Sequence, residues 1–142
     1  MINRQPRISV LFECKAFNIS AMVSFVIDSG ASYSALSEKE VTIMGVDCYS
    51  LPFSKGEAVG FGGTFRNRML NRKVTLTFGT NDKEYKIPCG CFNVVMVPPT
   101  FQGEQREKMF RYTPNVLGMD VLRRFKTIII KDKVELVQLK EK

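Results

Sequence analysis

Asp28, in the segment VSFVIDSGASYSAL (residues 23–36), is the residue best placed to do chemistry. Apolar and polar residues alternate before it, and the small residues Ser29 and Gly30 follow it. A carboxylate at the end of a buried strand costs free energy unless it is hydrogen-bonded, paired or exposed to water. Asp28 is therefore either a turn residue that faces solvent or a carboxylate that is held in place for catalysis.

Two glycine-containing segments later in the chain could work with this carboxylate. The run Gly60-Phe61-Gly62-Gly63 lies between strand-like residues, which indicates a sharply turning hairpin tip. The run Val116-Leu117-Gly118 predicts a short buried strand that leads into a short helix. These two segments and the aspartate loop are the features that a function has to explain.

The chain contains no histidine. This excludes Ser-His-Asp and Cys-His catalysis, and it removes imidazole as a metal ligand. Hydrolysis of an amide without a metal, a histidine or a covalent nucleophile can instead use two carboxylates that share one proton. Like charges about 3 Å apart cannot both ionise, so one carboxyl group acts as the base while the other donates its proton.

A single chain provides only one aspartate in this context. The other aspartates, none of which is followed by Ser/Thr-Gly, are Asp47, Asp82, Asp120 and Asp132. Two of them lie in turn signals, and Asp120 fits the N-terminus of a helix. We therefore expect a two-fold dimer, in which Asp28 meets its symmetry mate on the axis.

The three features together resemble the retropepsin-like aspartic proteases. The residues VIDSGAS are similar to the catalytic segment of that family, GFGG to its flap, and NVLGMDVLRRF to its late apolar-apolar-Gly segment and C-terminal helix. Their order and approximate spacing match from Ile8 to about Leu139. The resemblance implies a homodimeric endopeptidase that acts on peptides or proteins and needs no cofactor.

The resemblance also implies a role for each matching residue. Ser29 would hydrogen-bond across the dimer, Gly30 would present its carbonyl to the substrate, and the terminal strands would contribute to the dimer interface. The implied site consists of catalytic Asp28, Ser29 and Gly30, substrate-binding Ala31, Ser32, Gly60, Phe61, Gly62 and Gly63, and Gly118 packed beneath the active loop. Two positions depart from the family: Ser32 and Met119 stand where many retropepsins have an acidic residue and an arginine.

Composition is consistent with one soluble domain over residues 1–142. The net charge of +7 comes from 21 basic and 14 acidic residues, but the basic residues are scattered. Scattered charge favours solubility over nucleic-acid binding. We expect no secretory signal and no membrane span, hence a cytoplasmic protein.

The cysteines also favour a reducing compartment. Cys14, Cys48, Cys89 and Cys91 are expected to be reduced thiols. The CGC spacing matches no familiar zinc pattern, so we expect no metal.

The pattern predicts a mainly β fold, a closed or partly open β-barrel with one or two short helices. Asn18 marks a hairpin turn between two alternating segments. A helix is predicted near Glu38–Met44, because Ser37 and Glu40 form a capping-box pattern and Gly45 provides a stop.

The polar stretch Pro98–Pro114 is predicted to be an extended loop, either functional or disordered. Its aromatic residues suggest a substrate-lining or partner-binding role; they are Phe101, Phe110 and Tyr112.

Two alternatives to the protease remain open from the residues. One is a catalytically silent dimer of the same fold that binds peptides or holds two partners together. The other is a nucleic-acid-binding β-barrel, which the charge of +7 would suit if aromatic and basic residues were interleaved on one sheet face.

Overall fold

The structure is a computed structural model that describes residues 5–54, 58–60, 63–80, 83–125, 128–130 and 134–136. The described strands are β1 Arg7–Cys14, β2 Ile19–Ile27, β3 Ala35–Ser37, β4 Ala58–Gly60, β5 Gly63–Phe65, β6 Arg68–Leu70, β7 Val74–Thr80, β8 Lys83–Cys89, β9 Phe92–Val95, β10 Asn115–Leu117, β11 Ile128–Ile130 and β12 Val134–Leu136. The described α-helices are α1 Glu38–Ile43, α2 Gly103–Tyr112 and α3 Met119–Leu122. The prediction of a mainly β fold is confirmed, with three short helices instead of one or two.

Eight strands form one mixed sheet in the order β6-β9-β3-β10-β2-β1-β7-β8. β10 runs parallel to β2, β3 runs parallel to β9, and the other pairs are antiparallel. The pairs β4–β5 and β11–β12 are separate two-stranded ribbons. Within the described residues, hydrogen bonds do not close the sheet, so the partly open form of the predicted barrel is the observed one.

The core packs against the alternating faces of β1 and β2. Val10 and Phe12 of β1 are buried, and the rings of Phe12 and Phe92 meet edge to face with centroids 5.2 Å apart. At the end of β2 the alternation stops, because Phe25, Val26 and Ile27 are all buried. A continuous apolar run is typical of a strand that is covered on both faces. It brings the chain out of the core directly at Asp28.

Local signals fix the turns on either side of these strands. Asn18 has the left-handed conformation, with φ 54°, as expected of the residue that turns β1 into β2. The Ser37 hydroxyl accepts the Glu40 N–H at 3.1 Å and caps α1. The reciprocal bond of a capping box is replaced, since the Ser37 N–H donates to Asn115 Oδ1 at 2.8 Å while Asn115 Nδ2 donates to the Glu40 carboxylate at 3.0 Å.

The stretch Pro98–Pro114 is not an extended loop, because it contains the ten-residue helix α2. No residue of α2 is fully buried, and the helix lies beside α1. Its anchor is Arg106, whose guanidinium donates to Glu38 Oε2 at 2.9 Å and to the Tyr49 hydroxyl at 3.3 Å. The Glu38 side chain is only 5% exposed, and its other oxygen accepts the Val97 N–H at 3.0 Å. The helix α2 has little apolar surface of its own and is therefore held by an ion pair with a residue 68 positions away in the sequence.

Candidate active site

Asp28 lies where the parallel pair β2–β10 ends. Ile27 pairs with Leu117, and the Asp28 N–H donates to the Leu117 carbonyl at 3.0 Å. The Asp28 side chain is exposed, and its Oδ1 accepts the Gly30 N–H at 2.9 Å. No other hydrogen bond to this carboxylate comes from the described part of the chain. The loop thus fixes one carboxylate oxygen of an exposed side chain.

Gly30 and Gly118 are both sites of close approach. A Cβ on Gly30 would lie 3.2 Å from Asp28 Oδ1, which would crowd the hydrogen bond that orients the carboxylate. A Cβ on Gly118 would lie 2.7 Å from the Ala31 carbonyl oxygen and 2.8 Å from that of Tyr33. These distances are too short for any side chain, so only glycine lets the end of β10 pack directly under the loop that carries Asp28.

Backbone hydrogen bonds join this loop to the start of α3. The Met119 N–H donates to the Ala31 carbonyl at 2.8 Å, and the Asp120 N–H donates to the Ser32 carbonyl at 3.2 Å. Ser32 and Met119 are the two positions that depart from the family pattern. At these two positions the main chain itself ties the Asp28 loop to the start of α3.

Asp120 has a role that sequence reasoning missed. It does lie in the first turn of α3, as predicted, but its Oδ1 accepts three hydrogen bonds: from the Ser34 N–H at 2.9 Å, the Ser34 hydroxyl at 2.7 Å and the Val121 N–H at 2.9 Å. The Ser34 hydroxyl in turn accepts the Gly118 N–H at 2.9 Å. The sequence signal for this network is weak: a polar residue follows Gly30 and Gly118 within a few positions, Ser34 in the first case and Asp120 in the second.

The glycine-rich hairpin is described by its strands alone. β4 and β5 pair with Gly60 opposite Gly63. The predicted site residues Phe61 and Gly62 lie outside the described residues. The structure brings together Asp28, Ser29, Gly30, Ala31, Ser32 and Gly118 as one cluster.

The base of this hairpin is held by an arginine–aromatic stack. Phe53 pairs with Arg68 in an antiparallel bridge. The Arg68 guanidinium lies 3.9 Å from the Phe53 ring centroid, and that of Arg66 lies 4.7 Å from it. Arg68 also donates to the Leu51 carbonyl at 3.0 Å. These contacts join the chain before β4 to the chain after β5.

Two of the four thiols, Cys48 and Cys89, are poor nucleophiles. Burial raises the pKa of Cys89 to about 11, and the negative charge of Asp120 adds to this effect. Burial likewise raises the pKa of Cys48. Neither thiol is ionised near neutral pH, and the thiolate is the form that attacks substrates or binds metals. Asp28 remains the candidate for the reacting group.

No helix of the described part has the length and apolar character that crossing a bilayer requires. No protein-family model and no curated protein sequence matches the chain.

Similarity to known proteins comes from solved structures. A retropepsin-like aspartic protease from Rickettsia conorii superposes with a TM-score of 0.52 and 20% identity, over 90% of this chain and 77% of that one. The EIAV protease in complex with the inhibitor HBY-793 superposes with a TM-score of 0.47 and 14% identity, over 92% of this chain and 96% of that one. The first of these similarities, with the mixed sheet described above, shows that the chain has a retropepsin-like fold.

Proposed function

We propose that the protein is a homodimeric aspartic endopeptidase, in which Asp28 of each subunit activates the water that hydrolyses a peptide bond. The observation that carries the proposal is the Asp28 carboxylate itself. It emerges from a strand end buried on both faces, is oriented by the Gly30 N–H at 2.9 Å, and is exposed in the single chain. The retropepsin-like fold supports the same assignment.

We expect the second carboxylate to come from a second chain. Asp120 is engaged with Ser34 through its Oδ1, and Asp47 caps a 3₁₀ turn by accepting the Tyr49 N–H at 3.0 Å. The other two aspartates, Asp82 and Asp132, lie outside the described residues. A two-fold axis near Asp28 would supply an identical carboxylate without any further residue type.

In such a dimer the two carboxyl groups share one proton. The ionised group accepts a proton from water as the water oxygen attacks the scissile carbonyl carbon. The protonated group donates to the carbonyl oxygen, which gives a neutral tetrahedral diol. Collapse of the diol breaks the C–N bond, and the amine leaves with the proton of the carboxyl pair. One diol hydroxyl gives its proton back to the pair as the C=O bond of the product carboxyl group forms. The pair returns to its starting state with one shared proton.

Exposed apolar side chains beside Asp28 suggest that another molecule covers this surface. Tyr33 is 70% exposed and Met119 is 38% exposed, both close to the loop that carries Asp28. Large apolar groups in that position suit an extended peptide or a second subunit, either of which would remove them from water. We expect the glycine-rich hairpin to close over the bound peptide and exclude water.

The test compares Asp28→Asn with the wild type on a peptide library across a range of pH, while light scattering reports the oligomeric state. Asp28→Asn should lose cleavage and keep the dimer. Asp47→Asn, the same change at an exposed turn aspartate, should keep both. Adding an excess of Asp28→Asn to the wild type should lower activity, because a mixed dimer has only one ionisable Asp28.

Two outcomes would count against the proposal. Cleavage by Asp28→Asn would remove Asp28 from the reaction. A dimer that binds peptides, but hydrolyses none in either form, would instead identify the silent binding module.

A further inference from the structure

A groove of about 580 Å³ lies at the end of β2 remote from Asp28. Its lining residues are Glu13, Lys15, Ala16, Arg72, Lys73, Thr75 and Lys86. Glu13 pairs with Ser20 near the start of β2. Asp28 lies eight positions beyond Ser20 along the strand direction, which corresponds to roughly 25 Å at about 3.3 Å per residue. The groove is therefore a separate surface from the candidate active site.

The strand register builds the floor of this groove. Glu13 of β1 lies opposite Thr75 of β7, and Lys86 of β8 lies opposite Thr77. Val74 and Leu76 of β7 are buried in the core. Because side chains alternate along a strand, Thr75 and Thr77 lie on the face opposite to Val74 and Leu76, together with their partners Glu13 and Lys86. Neighbouring strands are about 4.8 Å apart, so the floor is roughly 10 Å wide from β1 to β8.

The groove carries an excess of unpaired positive charge. Lys15, Arg72, Lys73 and Lys86 are all exposed, and none of them forms an ion pair with another described residue. Arg72 Nη1 donates to the Asn71 carbonyl at 2.8 Å, which orients the guanidinium. Four cations against one carboxylate make a concave surface that attracts anions.

The lining favours a peptide over a nucleic acid. None of its residues is aromatic, so nucleobases would have no ring to stack on. The Glu13 carboxylate would repel a phosphodiester backbone, whose oxygens are all acceptors. An acidic peptide instead offers carboxylates to the four cations and amide N–H donors to Glu13 and the Thr75 hydroxyl.

We propose that this groove binds an acidic segment of a partner polypeptide in extended form. Lys73, just before β7, and Lys86, on β8, line the groove and provide the main contacts to the carboxylates of the segment. The site is formed within one chain and does not depend on catalysis at Asp28.

The test measures fluorescence anisotropy of a short fluorescein-labelled peptide of alternating Glu and Gly residues, with the full chain carrying Asp28→Asn so that the probe stays intact. The protein should bind this peptide and not its Gln-containing equivalent. Binding should weaken as salt shortens the screening length from about 10 Å toward about 3 Å. The double variant Lys73→Glu/Lys86→Glu should bind roughly ten-fold more weakly, since two attractive contacts become repulsive.

The matched control is Lys83→Glu/Lys108→Glu, which makes the same change in net charge at two exposed lysines outside the groove. It should leave the affinity within about two-fold of the parent. An equal loss in both double variants would show that net charge alone attracts the peptide and would overturn the proposal. Failure to bind the peptide would do the same, as would tighter binding of a single-stranded oligonucleotide of equal charge.

Discussion

The carboxylate of Asp120 holds Ser34 by both its backbone N–H, at 2.9 Å, and its hydroxyl, at 2.7 Å. The two residues are 86 positions apart in the chain. Since the same hydroxyl accepts the Gly118 N–H, the bonds form a continuous network from α3 to the loop after Asp28. The loop's position therefore depends on a carboxylate that has no place in the proposed reaction.

Replacing Asp120 by alanine should destabilise the protein. The change leaves both Ser34 donors without their charged acceptor, and we expect the free energy of unfolding to fall by about 2 kcal/mol in urea titrations. Asp47→Ala, at an exposed cap, should cost no more than about 1 kcal/mol. A double-mutant cycle with Ser34→Ala should show a coupling of about 1 kcal/mol. Equal losses for Asp120→Ala and Asp47→Ala, without coupling, would contradict the network.

Gly118→Ala should be strongly destabilising. The added methyl group would lie 2.7 Å from the Ala31 carbonyl oxygen, and backbone on both sides leaves it no room. We expect a loss of about 3 kcal/mol in the free energy of unfolding. Gly79→Ala is the control, because a Cβ there meets nothing within 4 Å. If the two variants unfolded at the same denaturant concentration, the claim that Gly118 packs closely under the Asp28 loop would be contradicted.

Arg106→Leu should release α2 from the body of the protein. It leaves the nearly buried Glu38 carboxylate without its cation, and the partial exposure of Arg106 limits the expected loss to about 2 kcal/mol. Hydrogen exchange should quicken in α2 and stay slow in β1 and β2. Adding Glu38→Gln should restore most of the stability, since glutamine still accepts the Val97 N–H without a charge.

The control for this prediction is Arg111→Leu. It breaks the exposed Arg111–Glu107 pair on the same helix and should change the stability by less than about 0.5 kcal/mol. Unchanged exchange in α2 after Arg106→Leu would show that another contact anchors the helix.

Thr77→Val should stabilise the protein. The Thr77 hydroxyl is buried without a hydrogen-bond partner among the described residues. A methyl group of similar size removes that unsatisfied oxygen, so we expect the free energy of unfolding to rise by about 1 kcal/mol. Thr75→Val, at the less buried neighbour on the same strand face, should have little effect. A loss of stability in Thr77→Val would mean that the hydroxyl is bonded after all.

Cys89 should make the protein less stable at alkaline pH. Its pKa is about 11 in the folded chain against an ordinary value of 9.0, so the folded state binds more protons between these values. The free energy of unfolding should therefore fall as the pH rises from about 9 to about 11, by about 2 kcal/mol in total. Cys89→Ser should remove this part of the slope, and Cys91→Ser should retain it. If the free energy of unfolding of the wild type and of Cys89→Ser fell in parallel with pH, the raised pKa of Cys89 would be refuted.

Local chemistry was enough to predict the strands, the Asn18 turn and the start of α1. Each of these depends on residues close in sequence, such as the left-handed conformation that asparagine tolerates or the Ser37 hydroxyl that caps its own helix. The Asp28 turn could likewise be located from Ser29 and Gly30 alone. The retropepsin-like fold followed from the order of three short motifs.

Contacts between distant residues explain what sequence could not predict. The stretch around α2 is polar and follows two prolines, so it lacked the apolar stripe by which a helix is recognised. The helix is fixed by Glu38, 68 positions away. The sequence predicts Asp120 at the start of a helix, yet no periodicity indicates that its carboxylate reaches Ser34. The replacement of half of the capping box by Asn115 was equally hidden, because Asn115 is 78 positions away from Ser37 in the sequence.

The parallel pairing of β10 with β2 has a consequence for biosynthesis. Asp28 is made early, but the Leu117 carbonyl that binds its N–H and the Asp120 carboxylate that fixes Ser34 are made about ninety residues later. Such non-local contacts form only after a long loop has closed. A nascent chain still lacking β10 and α3 thus has an unsupported Asp28 loop. If the protein is a protease, newly made chains stay inert on the ribosome until almost all of the described sequence has emerged.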